Sequence, residues 1–327
     1  ARVQTGRGQR FVVEVHMGKK RILAALGAAS AAAAGTLAVS YLSVFARCRD
    51  MKEDVPPPVR EDVSGRLAAK YGELHSAACA LEGESIGLRS RDGIELRGKF
   101  YRFSGEGPVM LFFHGYHGHP LRDGCGMMKL ARELGTDVLV PDQRAHGESG
   151  GRTITFGVRE QYDCLDWIQY LLDRFGRGRK IILSGVSMGA STVLMAADRL
   201  PGNVAGIIAD CGYTTAEAII RHVSRQIHLP EGLGFALAKT DARLFGGVDL
   251  SAASAPEALV RCRAPVLFIH GEDDSFVPAD MSRENYEACT APKRFLTVPG
   301  AEHAMSFLVD EEAYTTAVKE FLSETAT

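Results

Sequence analysis

Ser187 lies between two glycines in the pentapeptide Gly185-Val186-Ser187-Met188-Gly189. The pentapeptide follows an apolar run that ends in KIILS and precedes the helical run ASTVLMAADRL, so it occupies a turn between a predicted strand and a predicted helix. Glycines such as Gly185 and Gly189 allow the sharp bend that lifts a serine hydroxyl above a sheet. A serine between glycines also occurs in ordinary turns, and here the strand before and the helix after it favour a nucleophile.

An acid and a base follow the serine at the ends of two later apolar runs. The segment HGEDDSFVP (270–278) follows PVLFI, and PGAEH, which ends at His303, follows KRFLTV. A histidine can take the serine proton and return it, while a carboxylate holds the imidazole tautomer and stabilises its charged form. The order serine, acid, histidine occurs among known hydrolytic triads. We therefore predict that His303 is the general base and acid of Ser187.

The turn HGYHGH (114–119) follows the apolar run VMLFF. Its glycines, Gly115 first among them, free the backbone to turn amide N–H groups toward the oxyanion that develops during acyl transfer. We predict the backbone N–H groups of Tyr116 and Met188 as the two donors, and His114 as a residue that braces the loop. The three histidines also suggest a metal site, but no acidic residue is spaced to complete one, so we predict no metal.

The elements that position these residues alternate along the chain. Short apolar runs are separated by helical stretches, and this alternation predicts a mainly parallel sheet with helices on both faces. Asp92-Gly93 lies between two earlier runs and predicts a hairpin, so the sheet is expected to begin with an antiparallel pair. The predicted strands are Ser85–Ser90, Ile94–Phe103, Val109–Phe113, Asp137–Val140, Lys180–Leu183, Gly206–Ala209 and Pro265–Ile269, followed by the run KRFLTV.

Residues 22–46 form a run of 25 residues without a charged side chain. A helix of this length can cross a hydrocarbon core of ~30 Å, so we predict a transmembrane signal-anchor. The segment 1–21 is basic, whereas acidic and basic residues mix after the run, which favours an N-terminus inside and a C-terminal domain outside the cytoplasm. The alternative is a signal peptide cleaved after Ala46, which would release a secreted protein.

Two further segments complete the N-terminal part. Met17-Gly18-Lys19-Lys20-Arg21 is typical of the start of a signal-anchor, so residues 1–16 are interpreted as an artefact upstream of that start. Three consecutive prolines in 47–66 cannot continue a helix and favour an extended linker. A single domain is expected from there, over 67–327.

Composition places the chain among ordinary globular proteins. It has 327 residues, with 38 basic and 40 acidic side chains, a formal charge of −2 and 46% hydrophobic residues. These values exclude a disordered chain, a collagen-like repeat and a small disulfide scaffold, and they give no support to nucleic-acid binding through a basic surface. The seven cysteines form no C-x-x-C pair, so we interpret most of them as small buried apolar residues.

Taken together, residues 85–325 resemble the α/β-hydrolase superfamily, in particular its bacterial esterases, lysophospholipases and S33-type peptidases. In that family the acid commonly lies in G-x-x-D-x-x-V-P, and Gly271, Asp274, Val277 and Pro278 match this pattern. The resemblance thus selects Asp274 as the orienting acid over its neighbour Asp273. Some members carry the acid after the sixth strand, which makes Asp210 the alternative.

The resemblance also implies an architecture. It predicts an eight-stranded, mostly parallel sheet and a short helical cap inserted at about 213–258, whose many apolar residues either line an acyl pocket or pack on the domain. The segment DQRAHGES (142–149) resembles the family turn D-x-R-G-H-G-x-S, with Ala145 in place of glycine. We interpret this turn as a brace for the site rather than a reacting element.

The activity implied is that of a serine hydrolase, which we expect to be a membrane-tethered carboxylesterase that works through an acyl-enzyme. Its partners would be the membrane, through 22–46, and a small acyl ester, lipid-derived esters included, and no cofactor is expected. The alternatives are an S33-type peptidase, an acyl-thioesterase and, from another class, a binding scaffold that keeps the fold without catalysis. A dehalogenase or epoxide hydrolase of this fold would need aspartate at Ser187.

Overall fold

The structure, a computed structural model, describes residues 35–48 and 64–325. Within these ranges eight strands form one sheet in the order β1-β2-β4-β3-β5-β6-β7-β8. The pairs β1/β2 and β2/β4 are antiparallel and the others are parallel. The strands are β1 (Glu84–Arg89), β2 (Glu95–Tyr101), β3 (Val109–Phe113), β4 (Asp137–Pro141), β5 (Ile181–Val186), β6 (Val204–Asp210), β7 (Val266–Gly271) and β8 (Lys293–Val298).

Helices connect the strands and cover the sheet. In chain order they are α1 (35–44), α2 (Ser64–Cys79), α3 (Pro120–Glu133), α4 (Glu160–Phe175), α5 (Met188–Met195), α6 (Ala216–Gln226), α7 (Glu231–Gly246), α8 (Ala255–Leu259), α9 (Ala279–Ala288), α10 (Ser306–Val309) and α11 (Glu311–Thr325). A 3₁₀ turn, Ala197–Arg199, follows α5.

The central strands are buried on both faces, which explains their continuous apolar sequence. All five residues of β3 are buried, and successive side chains enter different halves of the core. Val109, Leu111 and Phe113 belong to the cluster on one face, whereas Met110 and Phe112 belong to the cluster on the other. This alternation follows from the two-residue period of a strand. The predicted sheet with helices on both faces is thereby confirmed.

The order of the strands creates a crevice at one edge of the sheet. After β3 the chain adds β4 on one side of it and β5 on the other, so the direction in which strands are added reverses there. Ligands of open parallel sheets bind beyond the carboxyl ends of strands at such a reversal. The residues that follow β3, β5, β7 and β8 are the ones that the sequence predicts to carry chemistry.

Strand positions agree with the prediction, and their ends differ by a few residues. Glu84 to Arg89 pair with Phe100 to Glu95, which confirms the hairpin at Asp92-Gly93. β5 extends to Val186, beyond its predicted end, because pairing continues from Gly185 to Phe113 and from Val186 to Asp210.

The N-terminal segment differs from its prediction. Residues 22–34 of the predicted anchor lie outside the described residues, and α1 covers most of the remainder. Phe45 is fully buried in the domain core, and Ala46 and Cys48 form β-bridges to Thr153 and His146. The end of the predicted anchor therefore packs on the domain, because its aromatic residues find apolar partners there. No helix in the described ranges is both long and apolar enough to span a bilayer.

The predicted linker and cap can be compared in the same way. Residues 49–63 lie outside the described ranges, and α2 begins at Ser64, within the segment predicted as linker. The predicted cap contains the three helices α6, α7 and α8. Some of its apolar residues pack inward, among them Ile219, Ile220 and Phe235. Others stay exposed on the outer side, namely Ile227, Leu233, Leu244 and Phe245.

Five of the seven cysteines are buried, as predicted, while Cys48 is half-buried and Cys79 exposed.

Candidate active site

Ser187 lies in a strained turn between β5 and α5. Its φ of 55° and ψ of −118° are uncommon for a residue with a side chain and cost of order 1–3 kcal/mol. A Cβ on Gly185 would lie 2.4 Å from the Gly189 carbonyl carbon, and one on Gly189 would lie 2.1 Å from the Phe113 carbonyl oxygen. The two glycines are thus required because the backbones of β3, β5 and α5 approach closely at this turn.

Ser187, His303 and Asp274 lie together at the carboxyl edge of the sheet. The Ser187 Oγ is 2.8 Å from His303 Nε2, and His303 Nδ1 is 2.7 Å from Asp274 Oδ2. Since a carboxylate accepts, Nδ1 carries the proton and Nε2 is free to accept the serine hydroxyl. The His303 side chain is 20% exposed and the Asp274 side chain is fully buried, so solvent reaches this chain of hydrogen bonds at the imidazole.

Asp274 is held as a carboxylate by donors on both of its oxygens. Its Oδ1 accepts the backbone N–H groups of Phe276 and Val277, at 3.0 and 2.8 Å. Burial by itself would raise the pKa of Asp274, but hydrogen bonds from His270 and His303 and the nearby Val277 amide lower the pKa to about 2. The carboxylate is therefore charged at neutral pH and can orient an imidazole.

His270 is a second imidazole on the same carboxylate, which the sequence reasoning did not single out. Its Nε2 lies 2.8 Å from the Val277 carbonyl oxygen and 3.2 Å from Asp274 Oδ2, so this nitrogen carries a proton. Its Nδ1 lies 2.6 Å from Ser282 Oγ. His270 is fully buried, and it holds the loop that carries Asp274. Its place at the carboxyl end of β7 is the only signal in the sequence.

Asp210, the alternative acid, lies at the end of β6 beneath the site. Burial raises the pKa of its carboxyl to about 6, and its Oδ1 is 3.5 Å from Ser306 Oγ. Among the described residues, the carboxylate within hydrogen-bond distance of His303 is that of Asp274. The geometry thus favours Asp274 as the partner of the imidazole.

The loop after β3 lies against the serine. A Cβ on Gly115 would lie 3.4 Å from the Ser187 Cβ, so the two turns are in contact. The Tyr116 and Met188 amide N–H groups donate to no described residue, and that of Met188 begins helix α5. Unused N–H groups at a helix start favour a negative charge.

Two neutral histidines fix the backbone of this loop. His114 Nδ1 donates to the Gly115 carbonyl oxygen at 2.8 Å, and its Nε2 accepts the Gln143 amide at 3.0 Å. Burial lowers the pKa of His114 to about 3, which keeps Nε2 available as an acceptor. His146 accepts the His117 amide through Nε2, at 3.2 Å. His114 therefore braces the loop.

The turn 142–149 supplies these braces. Ala145 has a φ of 60°, a conformation that suits glycine, and this explains why the family pattern has glycine there. Arg144, next to it, is buried and forms an ion pair with Asp163 at 2.6 Å. The turn lies behind the loop after β3, and it touches neither Ser187 nor His303 through a described hydrogen bond.

The N-terminal segment also contacts the loop, which the sequence did not predict. The Tyr116 hydroxyl donates to the Val44 carbonyl oxygen at 2.9 Å. The Tyr116 ring stacks on Phe156 at 5.2 Å, and Phe156 packs edge-on against Phe45 at 5.7 Å. The last residue of α1 and the residue after it therefore help to hold the loop that carries a predicted oxyanion donor.

A thiol lies close to the same carboxylate and imidazole. Ligand atoms of Cys211, Asp274 and His303 lie within 4.8 Å of one another. Burial raises the pKa of the Cys211 thiol well above its usual range, so the sulfur is protonated and a poor metal ligand. The histidines of the loop after β3 serve other purposes, since His119 caps α3 by accepting the Leu121 amide.

Comparison with known proteins agrees with this architecture. A family model described as the alpha/beta hydrolase fold matches residues 108–255. An uncharacterized protein of Bacillus subtilis, YqkD, is 28% identical over 306 residues, which cover 93% of this chain and 97% of that protein. A protein of Saccharomyces cerevisiae described as an uncharacterized membrane protein is 26% identical over 59% of this chain and 63% of its own length.

Solved structures share the fold at lower identity. The esterase Pf2001 of Pyrococcus furiosus superposes with a TM-score of 0.62 at 21% identity, over 87% of this chain and 98% of the esterase. Est1E of Butyrivibrio proteoclasticus, solved with ferulic acid bound, gives a TM-score of 0.55 at 20% identity, over 74% of this chain and 99% of Est1E. With the strand order, the strand-turn-helix at Ser187 and the matched family model, these likenesses show that the chain has the α/β-hydrolase fold.

Proposed function

We propose that the protein is a serine hydrolase that cleaves carboxylic esters through an acyl-enzyme. The observation that carries the proposal is the continuous chain of hydrogen bonds from Ser187 Oγ through His303 to Asp274, with distances of 2.8 and 2.7 Å. A nucleophile, a base and an orienting carboxylate in this order are the groups that acyl transfer needs.

The first half of the reaction forms the acyl-enzyme. Ser187 Oγ attacks the carbonyl carbon of the ester while its proton passes to His303 Nε2, and the carbonyl electron pair moves onto oxygen. When this intermediate collapses, the bond from carbon to the leaving oxygen breaks, and His303 gives the alcohol its proton. Asp274, charged at neutral pH, stabilises the imidazolium in between.

The second half repeats these steps with water. His303 takes a proton from water as the water oxygen attacks the acyl carbon, and Ser187 Oγ leaves with the proton returned by His303. In both halves the Tyr116 and Met188 N–H groups would stabilise the oxyanion. Removal of one such donor typically lowers the rate by about 10²–10³-fold. Esters are proposed ahead of thioesters and peptides because an esterase, Pf2001, is among the solved proteins of similar fold.

The test is labelling with a fluorophosphonate probe followed by hydrolysis of p-nitrophenyl esters from acetate to palmitate. We expect Ser187→Ala to abolish labelling and to lower kcat/KM by at least about 10³-fold, because the variant lacks the hydroxyl that forms the acyl-enzyme. Ser251→Ala, at an exposed serine, is the matched control and should behave as wild type.

The result would contradict the proposal if folded wild-type protein were not labelled, or if Ser187→Ala kept its labelling. The first result would favour a binding scaffold, and the second would place the nucleophile elsewhere. The same assay with thioesters and aminoacyl amides measures the preference between the three substrate classes.

A further inference from the structure

We propose that exposed apolar residues of α1 and α7 lie in the interfacial region of a lipid bilayer, on the side of the cap. This apolar surface consists of Val39, Leu42, Leu233, Leu244 and Phe245. Their exposed fractions are 65, 67, 51, 66 and 49%, which is unusual for so many large apolar side chains on neighbouring helices of one protein.

The two helices pack against each other beside these residues. Tyr41, on the inner side of α1, packs against Phe245 of α7 with ring centroids 5.0 Å apart, and it is anchored by its hydroxyl to Thr153 at 2.7 Å. Leu42 follows Tyr41 in the chain and Leu244 precedes Phe245, so both flank this contact. Leu233 lies eleven residues before Leu244, three helical turns away on the same side of α7.

Two exposed hydroxyls of these helices are bonded within their own helix. The exposed Ser43 hydroxyl donates to the Val39 carbonyl oxygen at 2.8 Å, and the exposed Thr240 hydroxyl of α7 donates to the Ala236 carbonyl oxygen at 2.7 Å. Such bonds remove the need for water, which is what a lipid environment requires of a hydroxyl. The exposed residues of α1, moreover, carry no charge.

The chain before α1 indicates what covers the surface. Residues 22–46 lack any charged side chain, and α1 is the C-terminal part of that run. An apolar medium around 22–34 would also lie beside the outer side of α1, because α1 follows 22–34 directly in the sequence. Lys19, Lys20 and Arg21 precede the run and suit the phosphates of lipid headgroups. A bilayer fits both features, whereas a second copy of the chain would explain only the apolar one.

The surface is connected to the candidate site through packed aromatic rings. From Phe245 the contacts run to Tyr41, then to Phe45 at 6.1 Å, to Phe156 at 5.7 Å and to Tyr116 at 5.2 Å. A bilayer against α1 and α7 would therefore lie on the side of the loop that carries Tyr116.

The experiment uses tryptophan fluorescence of the full chain. The protein has one tryptophan, Trp167, which is 1% exposed and gives a constant background. Phe245→Trp and, separately, Leu42→Trp are mixed with phosphatidylcholine–phosphatidylglycerol vesicles whose acyl chains are brominated near the headgroups. We expect the added emission to fall by about twofold or more relative to unbrominated vesicles, because bromine quenches only indoles within the interface.

Val260→Trp is the matched control, since Val260 is 55% exposed at the end of α8, next to the amino ends of the strands. Its emission should not change. The proposal is overturned if the full chain sediments with vesicles while both reporters stay unquenched, because residues outside this surface would then bind the lipid. It is also overturned if the reporter emission shifts with protein concentration in the absence of lipid, which would indicate a second copy. Quenching needs no turnover, so the outcome is independent of the proposed activity.

Discussion

At the scale of single residues, Asp274 is the group on which the candidate site depends most. One oxygen accepts two backbone amides and the other faces two imidazoles, His303 and His270. These contacts keep the carboxylate charged in a buried position, where an unpaired carboxylate would be protonated more easily. Asp210 lies nearby and accepts a hydrogen bond from Ser306, but burial has the larger effect and raises its pKa. The two acids therefore differ in environment rather than in residue type.

This difference predicts unequal effects of two isosteric substitutions. Asp274→Asn should lower kcat by about 10³-fold or more, because the amide cannot stabilise the His303 imidazolium and disfavours its required tautomer. Asp210→Asn should keep kcat within about tenfold of wild type, since Asp210 does not contact His303. The measurement is p-nitrophenyl ester hydrolysis at neutral pH, with the circular dichroism of both variants as a check of folding. The opposite order of the two effects would identify Asp210 as the acid.

At the scale of elements, the end of α1 and the residues after it, 44–48, behave as part of the domain. Phe45 is fully buried, its neighbours bridge to Thr153 and His146, and the Val44 carbonyl accepts the Tyr116 hydroxyl. Residues 44–48, which the sequence predicts as the end of a membrane anchor and the start of a linker, thus stabilise the loop after β3. Their packing depends on aromatic side chains from α7 and from the stretch around Phe156.

We expect Phe45→Ala to lower the free energy of unfolding by roughly 3–5 kcal/mol, the usual cost of removing a buried phenylalanine ring. Val39→Ala, at a 65% exposed position of α1, is the control and should change it by less than about 0.5 kcal/mol. Urea unfolding in detergent solution, followed by circular dichroism, measures both. Equal stability of the two variants would mean that residues 41–48 do not pack on the domain.

At the scale of the whole molecule, the sheet brings the buried carboxyl groups of Asp210 and Asp274 to one edge. The burial of Asp210 makes the stability of the fold depend on pH. The pKa of Asp210 is about 6 in the folded protein, against an ordinary value of 3.8, because burial disfavours its charge. Between these two pH values the folded state binds more protons than the unfolded state. Stability therefore falls as pH rises through this window.

The size of this loss is roughly 3 kcal/mol, at about 1.4 kcal/mol per pKa unit. Asp210→Asn should remove it, so the variant gains stability relative to wild type as pH rises from 4 to 7. Urea unfolding at several pH values in this range measures the difference between the two proteins. A difference that is the same at pH 4 and pH 7 would show that Asp210 does not titrate in this way.

Features that depend on local chain properties could be predicted from the amino-acid sequence. Apolar runs such as VMLFF, the turn at Asp92-Gly93 and the two glycines beside Ser187 predict strands, a hairpin and a strand-turn-helix, because each follows from neighbouring residues. The mainly parallel sheet with helices on both faces followed from their alternation and is confirmed. The roles of Ser187, Asp274 and His303 in catalysis stay predictions, which the substitutions above test.

Contacts between groups that are distant in the chain depend on tertiary packing. The contact of His303 with Asp274 rather than Asp210, the place of His270 on that carboxylate and the packing of Phe45 against Phe156 join residues from separate elements. The same holds for the cap, where Phe235 is buried and Phe245, ten residues later, is half exposed. Composition and spacing cannot fix such pairs, because they depend on how strands are ordered and helices packed once the whole core is formed.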